Sequence, residues 1–316
     1  MKIPFPDSLL RFFILVLLIA FSCSKKGSPD QNNSCAIPEL KPTSGVAFNH
    51  PCGVAVSRSG MVAVNEYNGF EQYGSLGKTS VYRNYSDFLT KAPPLAQFDS
   101  RGAEALAFDN NENLCVAETE QVAGIAVYRK LMQAGTISYN WVRTIQGGLN
   151  NPRGLAFDSH NRLYIANDGV GNIVRVDDPV NDGGQKIIGQ INKGIKGLAM
   201  DRDTLFCTSY TDNSILLFPL KTDGTFGEVI HHSITVQQPV DVTVTTKLFA
   251  VSSPETGKIT LYDRNGFVNG IYAGCVKEIA LGKNTFGLAF INASGSDTGL
   301  LAANLDQNKV MYYQSN

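Results

Sequence analysis

Six side chains stand where loops run into repeated apolar stretches: His50, Glu104, Arg153, Lys196, Asp241 and Phe286. Each lies at or just before a short apolar stretch that opens on small residues, such as Gly154-Leu155-Ala156-Phe157. A second set closes or follows the next apolar stretch, as in Leu163-Tyr164-Ile165-Ala166. Its members are Asn65, Glu66, Glu118, Asn167, Asp168, Tyr210, Ser253 and Asn304. Acidic and basic groups gathered in one place would suit a polar ligand or a divalent cation. Taken singly, Asn and Asp at such positions are more often turn residues. No nucleophile elbow, zinc-protease helix or phosphate loop occurs.

The elements that must position these groups emerge from self-similarity. The unit Asn151-Pro152-Arg153-Gly154-Leu155-Ala156-Phe157-Asp158, then Leu163-Tyr164-Ile165-Ala166-Asn167, then Asn172-Ile173-Val174-Arg175-Val176 reads strand, turn, strand, loop, strand. Taking Gly154 as register, copies recur at Gly53, Ala105, Gly154, Gly197, Asp241 and Gly287. Six copies, about 43 to 52 residues apart and with three or four short strands each, predict an all-β, six-bladed β-propeller of four-stranded blades. Inner strands should be apolar on both faces, and the innermost needs small residues where blades crowd the axis. Asp109, Asp158 and Asp201 fall in first hairpin turns, where an Asx side chain can cap the turn. No segment carries a sustained helical stripe, so helix content should be very low. Copy six stops after its third strand near Tyr313, so the segment from Cys35 to Phe48 is the expected donor of the closing outer strand.

The repeat Pro-x-Gly-Leu-Ala-Phe-Asp … Leu-Tyr-Ile-Ala-Asn resembles the NHL repeat, and the resemblance covers about residues 45–316. It implies a propeller, a fold that hosts both binding modules and enzymes. In propellers ligands usually enter a central mouth built by the loops that carry the two sets above. There His50, Glu66, Glu104, Glu118, Arg153, Asp168, Lys196, Tyr210 and Asp241 are the candidate ligand-binding residues. His160 falls in a hairpin turn on the far side. The adjacent His231 and His232 would point opposite ways on an extended strand.

A weaker resemblance is to the senescence-marker-protein and gluconolactonase family, six-bladed enzymes with one central calcium or zinc ion. Glu104, standing before Ala105, matches one of that family's ligands and is the candidate metal residue. Arg153 after Pro152 and Val240 after Pro239 depart from its pattern. Asp241, one place further on, should point to the other side of its strand.

At the other end, Lys2 and Arg11 flank a start that runs into the apolar Phe12–Ser22. That run is too short to span a membrane and fits a signal peptide over residues 1–22. Ala20-Phe21-Ser22-Cys23 resembles a bacterial lipobox, with Cys23 the lipidated residue. Residues 23–40 then form the anchor and a flexible tether, and residues 41–316 the propeller. The expected setting is export to a bacterial membrane, the outer membrane or cell surface ahead of the inner. Lys+Arg 27 against Asp+Glu 28 leaves a net charge of −1, which argues against a nucleic-acid partner. Beyond Cys23 five cysteines remain. Cys115 and Cys207 sit in second strands as buried thiols. Cys35 and Cys52 flank the closing strand and could bridge to pin it, with Cys275 an alternative partner for either. The chain thus reads as an envelope-anchored binding module for a polar small molecule, glycan or protein. The competing reading is a metal-dependent lactonase or esterase, or a lyase, working in the same mouth.

Overall fold

A computed structural model describes residues 35, 37–67, 76–119, 123–192, 194–227, 234–268, 271–293 and 296–315. The leader, Cys23, most of the tether, His231 and His232 lie outside them. Six sheets of four antiparallel strands stand in a ring, each innermost strand beside that of the next blade. Blade 3 shows the pattern: Pro152–Phe157, Leu163–Asn167, Asn172–Val176 and Gln185–Gln190 follow one another outward. The six innermost strands are Pro51–Val56, Ala103–Phe108, Pro152–Phe157, Ile195–Asp201, Asp241–Val244 and Thr285–Ala293. One short helix, Tyr85–Leu89, is capped by Asn84, whose side chain accepts from the Asp87 N–H. No described helix is long and apolar enough to cross a membrane.

The core is divided among the seams between blades. Six apolar clusters each join two neighbouring blades. Second strands are apolar on both faces because each face meets a different neighbour, as Leu163-Tyr164-Ile165-Ala166 does, all fully buried. In the seam of blades 4 and 5, Phe249 stacks on Tyr262 at 4.6 Å and lies 5.5 Å from Phe206.

The ring closes as its chain order demands. Leu40–Ala47 lies antiparallel to Lys309–Ser315, with Leu40 opposite Ser315 and Ala47 opposite Lys309, and so becomes the outer strand of blade 6. Just ahead of it, Cys35 is bonded to Cys275 rather than to Cys52. The expected Cys35–Cys52 pair fails because the two residues occupy opposite margins of the wall. Cys35 precedes an outermost strand, while Cys52 sits on an innermost one as a free, buried thiol. Cys115 and Cys207 are likewise free and buried.

Asp109 and Asp158 cap their hairpins as Asx side chains do: Asp109 Oδ1 accepts from Asn111 and Asn113 N–H, Asp158 Oδ1 from His160 and Arg162 N–H. Asp201 differs. It pairs with Thr204 across a two-residue turn, and its carboxylate accepts from Arg264 Nε at 3.1 Å.

Candidate functional site

Bulges in the innermost strands build the site. Ladder register slips between Pro51 and Val54, Ala103 and Ala105, Pro152 and Leu155, Ile195 and Leu198, and Thr285 and Leu288. A bulge leaves a residue unpaired and re-aims its side chain. Here the slips fall at Cys52, Glu104, Arg153, Lys196 and Phe286, all lining one central channel of about 290 Å³. Close approach of the next blade demands glycine after several of them. A Cβ on Gly197 would lie 2.6 Å from Asp241 Cα, and one on Gly287 2.6 Å from the Cys52 carbonyl oxygen.

Second strands brace these bulges from behind. Thr208 Oγ1 accepts from Gly197 N–H at 2.7 Å and donates to the Val240 carbonyl at 2.9 Å. Ser252 Oγ accepts from Asp241 N–H and donates to the Phe286 carbonyl at 2.7 Å. The Asn65 amide oxygen takes Gly53 N–H in the same way.

A row of charge crosses one side of the mouth. Arg153 Nη1 is paired with Glu104 Oε2, and Arg153 Nε with Asp168 Oδ2 at 3.1 Å. Asp168 is held further by Gly194 N–H at 2.7 Å and by the Asn151 amide at 3.2 Å. Lys196 stands next along the wall with its Nζ 4.8 Å from the Tyr210 ring centre. Among the described residues that ammonium has no hydrogen-bond acceptor and no ion pair. Burial raises the Glu104 carboxyl above its usual range despite Arg153 and Lys196 beside it. Burial and then the Arg153 charge lower Lys196. Burial, followed by Glu104, pushes the Cys52 thiol well up.

Of the nine expected ligand residues, Glu104, Arg153, Asp168, Lys196 and Tyr210 come together. Asp241 also lines the channel, but its carboxylate is committed to backbone, accepting from Leu288 N–H of the next blade at 2.8 Å and from Val242 N–H at 2.9 Å. Glu66 and Glu118 stand apart as loop staples. Glu66 Oε1 accepts from Asn49 N–H at 2.7 Å and Glu118 Oε1 from Arg101 N–H at 3.1 Å, as Asn167 does from Asn150 N–H. His50 is exposed in a left-handed turn with φ 49°, its N–H on Asn308 Oδ1, outside the channel lining. Cys52 was expected only as a disulfide partner. Its place one residue before Gly53, matching Arg153, Lys196 and Phe286, is the signal that sets it in the channel.

A calcium or zinc ion does not fit this arrangement. Glu104 already faces a guanidinium, and no group of three or more His, Cys, Asp or Glu converges among the described residues.

No protein-family model matches the chain, and no curated protein sequence does. Solved structures share the fold. A structural-genomics protein of unknown function from Bacteroides thetaiotaomicron aligns at TM-score 0.60 and 12 % identity, over 89 % of this chain and 73 % of that one. A PQQ-bound aldose sugar dehydrogenase from Streptomyces coelicolor aligns at 0.56 and 12 %, over 89 % and 99 %. A catalytically inactive histidine-to-alanine variant of virginiamycin B lyase from Staphylococcus aureus, with quinupristin, aligns at 0.53 and 12 %, over 88 % and 100 %. The chain is a six-bladed β-propeller. At such identities these neighbours speak for the propeller alone.

Proposed function

We propose that this propeller is a binding module that takes a polar ligand into its central mouth, carried at the bacterial envelope by a lipid on Cys23. The NHL-like repeat and the lipobox-like Ala20-Phe21-Ser22-Cys23 support that setting, an exported protein on the outer membrane or cell surface. The observation that carries the binding role is the row Glu104–Arg153–Asp168 with Lys196 beside it. Partly buried charge costs desolvation unless something polar meets it, and here bulges in the innermost strands turn Glu104, Arg153 and Lys196 to the channel. A free small molecule, a glycan or an exposed loop of a protein are the ligands such a mouth admits.

A second reading, a hydrolase or lyase in the same mouth, draws on one observation. Glu104 and Lys196 are displaced in opposite directions, as an acid and a base working near neutrality would be. The solved neighbours include a lyase and a sugar dehydrogenase. The lyase there is inactivated by loss of one histidine, whereas no histidine of this chain lines the channel among the described residues.

The test is a thermal-melt panel of sugars, small acids, amines and nucleotides on the full-length chain in detergent, run beside Val240→Trp, which plugs the channel. A ligand at a hundred times its dissociation constant stabilises by about 2.7 kcal/mol. Stabilisation of the natural protein but not of the plugged variant supports the binding role. A panel that stabilises neither, or a stabilising compound that is consumed, overturns it. Palmitate labelling that persists in Cys23→Ala would overturn the anchor separately.

A further inference from the structure

The channel wall has two unlike halves at the level of the bulges. Going round the ring, blades 2, 3 and 4 present Glu104, Arg153 and Lys196, while blades 5, 6 and 1 present Val240, Phe286 and Cys52. Phe286 and Val240 join none of the six apolar clusters between blades, although their strand neighbours Leu288, Phe290 and Val242 do. They are therefore apolar surface turned to the channel rather than to the core. On the charged half both carboxylates are satisfied, Glu104 by Arg153 and Asp168 by Arg153, Gly194 and Asn151. Lys196 is not, and Arg153 is so only in part. Lys196 keeps three donors with no acceptor among the described residues, and Arg153 commits Nε and Nη1 while its Nη2 donors remain uncommitted there.

Resting on the reading of the mouth as a ligand site, we propose that the channel takes a small amphipathic anion, its charged head on Lys196 and Arg153 and its apolar body against Phe286 and Val240. A carboxylate or a phosphate would supply the missing acceptors. An ammonium would meet the unpaired Lys196 charge and the free Nη2 donors of Arg153 instead. Partial burial strengthens a charge-assisted hydrogen bond relative to one in open water, so the head group should dominate discrimination between ligands of the same shape. A flat or short aliphatic body gains from Phe286 and Val240 in proportion to the apolar area it covers.

Titration calorimetry of the full-length chain in detergent tests this with five probes: benzoate, phenyl phosphate, benzyl alcohol, benzylamine and acetate. The expected order is one or both aromatic anions ahead, with benzyl alcohol and acetate each about tenfold weaker and benzylamine weakest. Which aromatic anion leads tells carboxylate from phosphate. Lys196→Met should lower the leading anion's affinity about tenfold or more, and Lys196→Arg, which keeps the charge, should restore most of it. That rescue separates a lost contact from a lost fold. The inference is overturned if benzyl alcohol or benzylamine equals the anions, if Lys196→Met binds as the natural protein does, or if no anion binds. Should a neutral sugar bind the natural protein but not Val240→Trp while the anions fail, this inference falls and the binding module stands. Should nothing bind at all, both fall.

Discussion

Asp241 stands where Gly197 and Gly287 stand in the adjoining blades, and its carboxylate spans the same gap that glycine elsewhere leaves for backbone. One oxygen takes Leu288 N–H and the other Val242 N–H. Burial nonetheless pushes its carboxyl from the ordinary 3.8 up to about 7, against those two hydrogen bonds. The folded protein therefore holds a proton that the unfolded chain releases near pH 4. Stability contributed by that proton is complete below about pH 4 and lost as pH rises to about 7. Relative to Asp241→Asn, the natural protein should lose stability across that interval, by at most about 1.4 kcal/mol per pH unit, and the difference should be flat above it. Urea melts of both proteins between pH 4 and 8.5 check this; a difference that ignores pH would mean Asp241 is ionised throughout. Residues of this kind show where reading the sequence stops. Glu104, Arg153 and Lys196 were legible because a repeat register places them beside small residues at a crowded axis. Glu66 and Glu118 share that polar character yet turn back to hold their own loops, because only coordinates show which donor lies within reach. Cys52 was hidden for the opposite reason, since a cysteine beside an expected closing strand reads first as a disulfide partner.

The strand is the next scale, and here the pattern was nearly transparent. Second strands read as continuous apolar runs because blades pack on both of their faces. What escaped was the register slip in five of the six innermost strands, since runs apolar on both faces carry no alternation for an extra residue to interrupt. The slips are what aim Arg153 and Lys196 inward. Helical and turn details followed ordinary rules, except at Asp201, where the turn is shorter and the carboxylate serves Arg264 of the next blade. Seam packing makes a plain prediction. Phe249 is fully buried between Phe206 and Tyr262, so Phe249→Ala should cost about 3–5 kcal/mol and lower Tm by roughly 10 °C. Differential scanning calorimetry would register it; a loss below about 1 kcal/mol would mean that the seam between blades 4 and 5 collapses to fill the space.

At the scale of the whole molecule the ring depends on one pairing and one covalent bond. Cys35–Cys275 joins the approach to the closing strand to blade 5, and Lys277 Nζ donates to the Ile37 carbonyl beside it. Ile37 and Leu40 extend the apolar seam of blades 5 and 6. Cys275→Ser should cost about 2–4 kcal/mol, and reductant should lower the natural protein's melt to the variant's but leave the variant unmoved. Leu40–Ala47 and Lys309–Ser315, partners in one sheet, lie far apart along the chain. The strand made early must wait for one made much later. Until then blade 6 lacks its outer edge, and the half-built wall shows unpaired backbone to any neighbouring chain. Non-local pairings of this kind are slow to form. The meeting of these two distant strands, rather than the folding of any single blade, is therefore the event that commits this molecule to its finished shape.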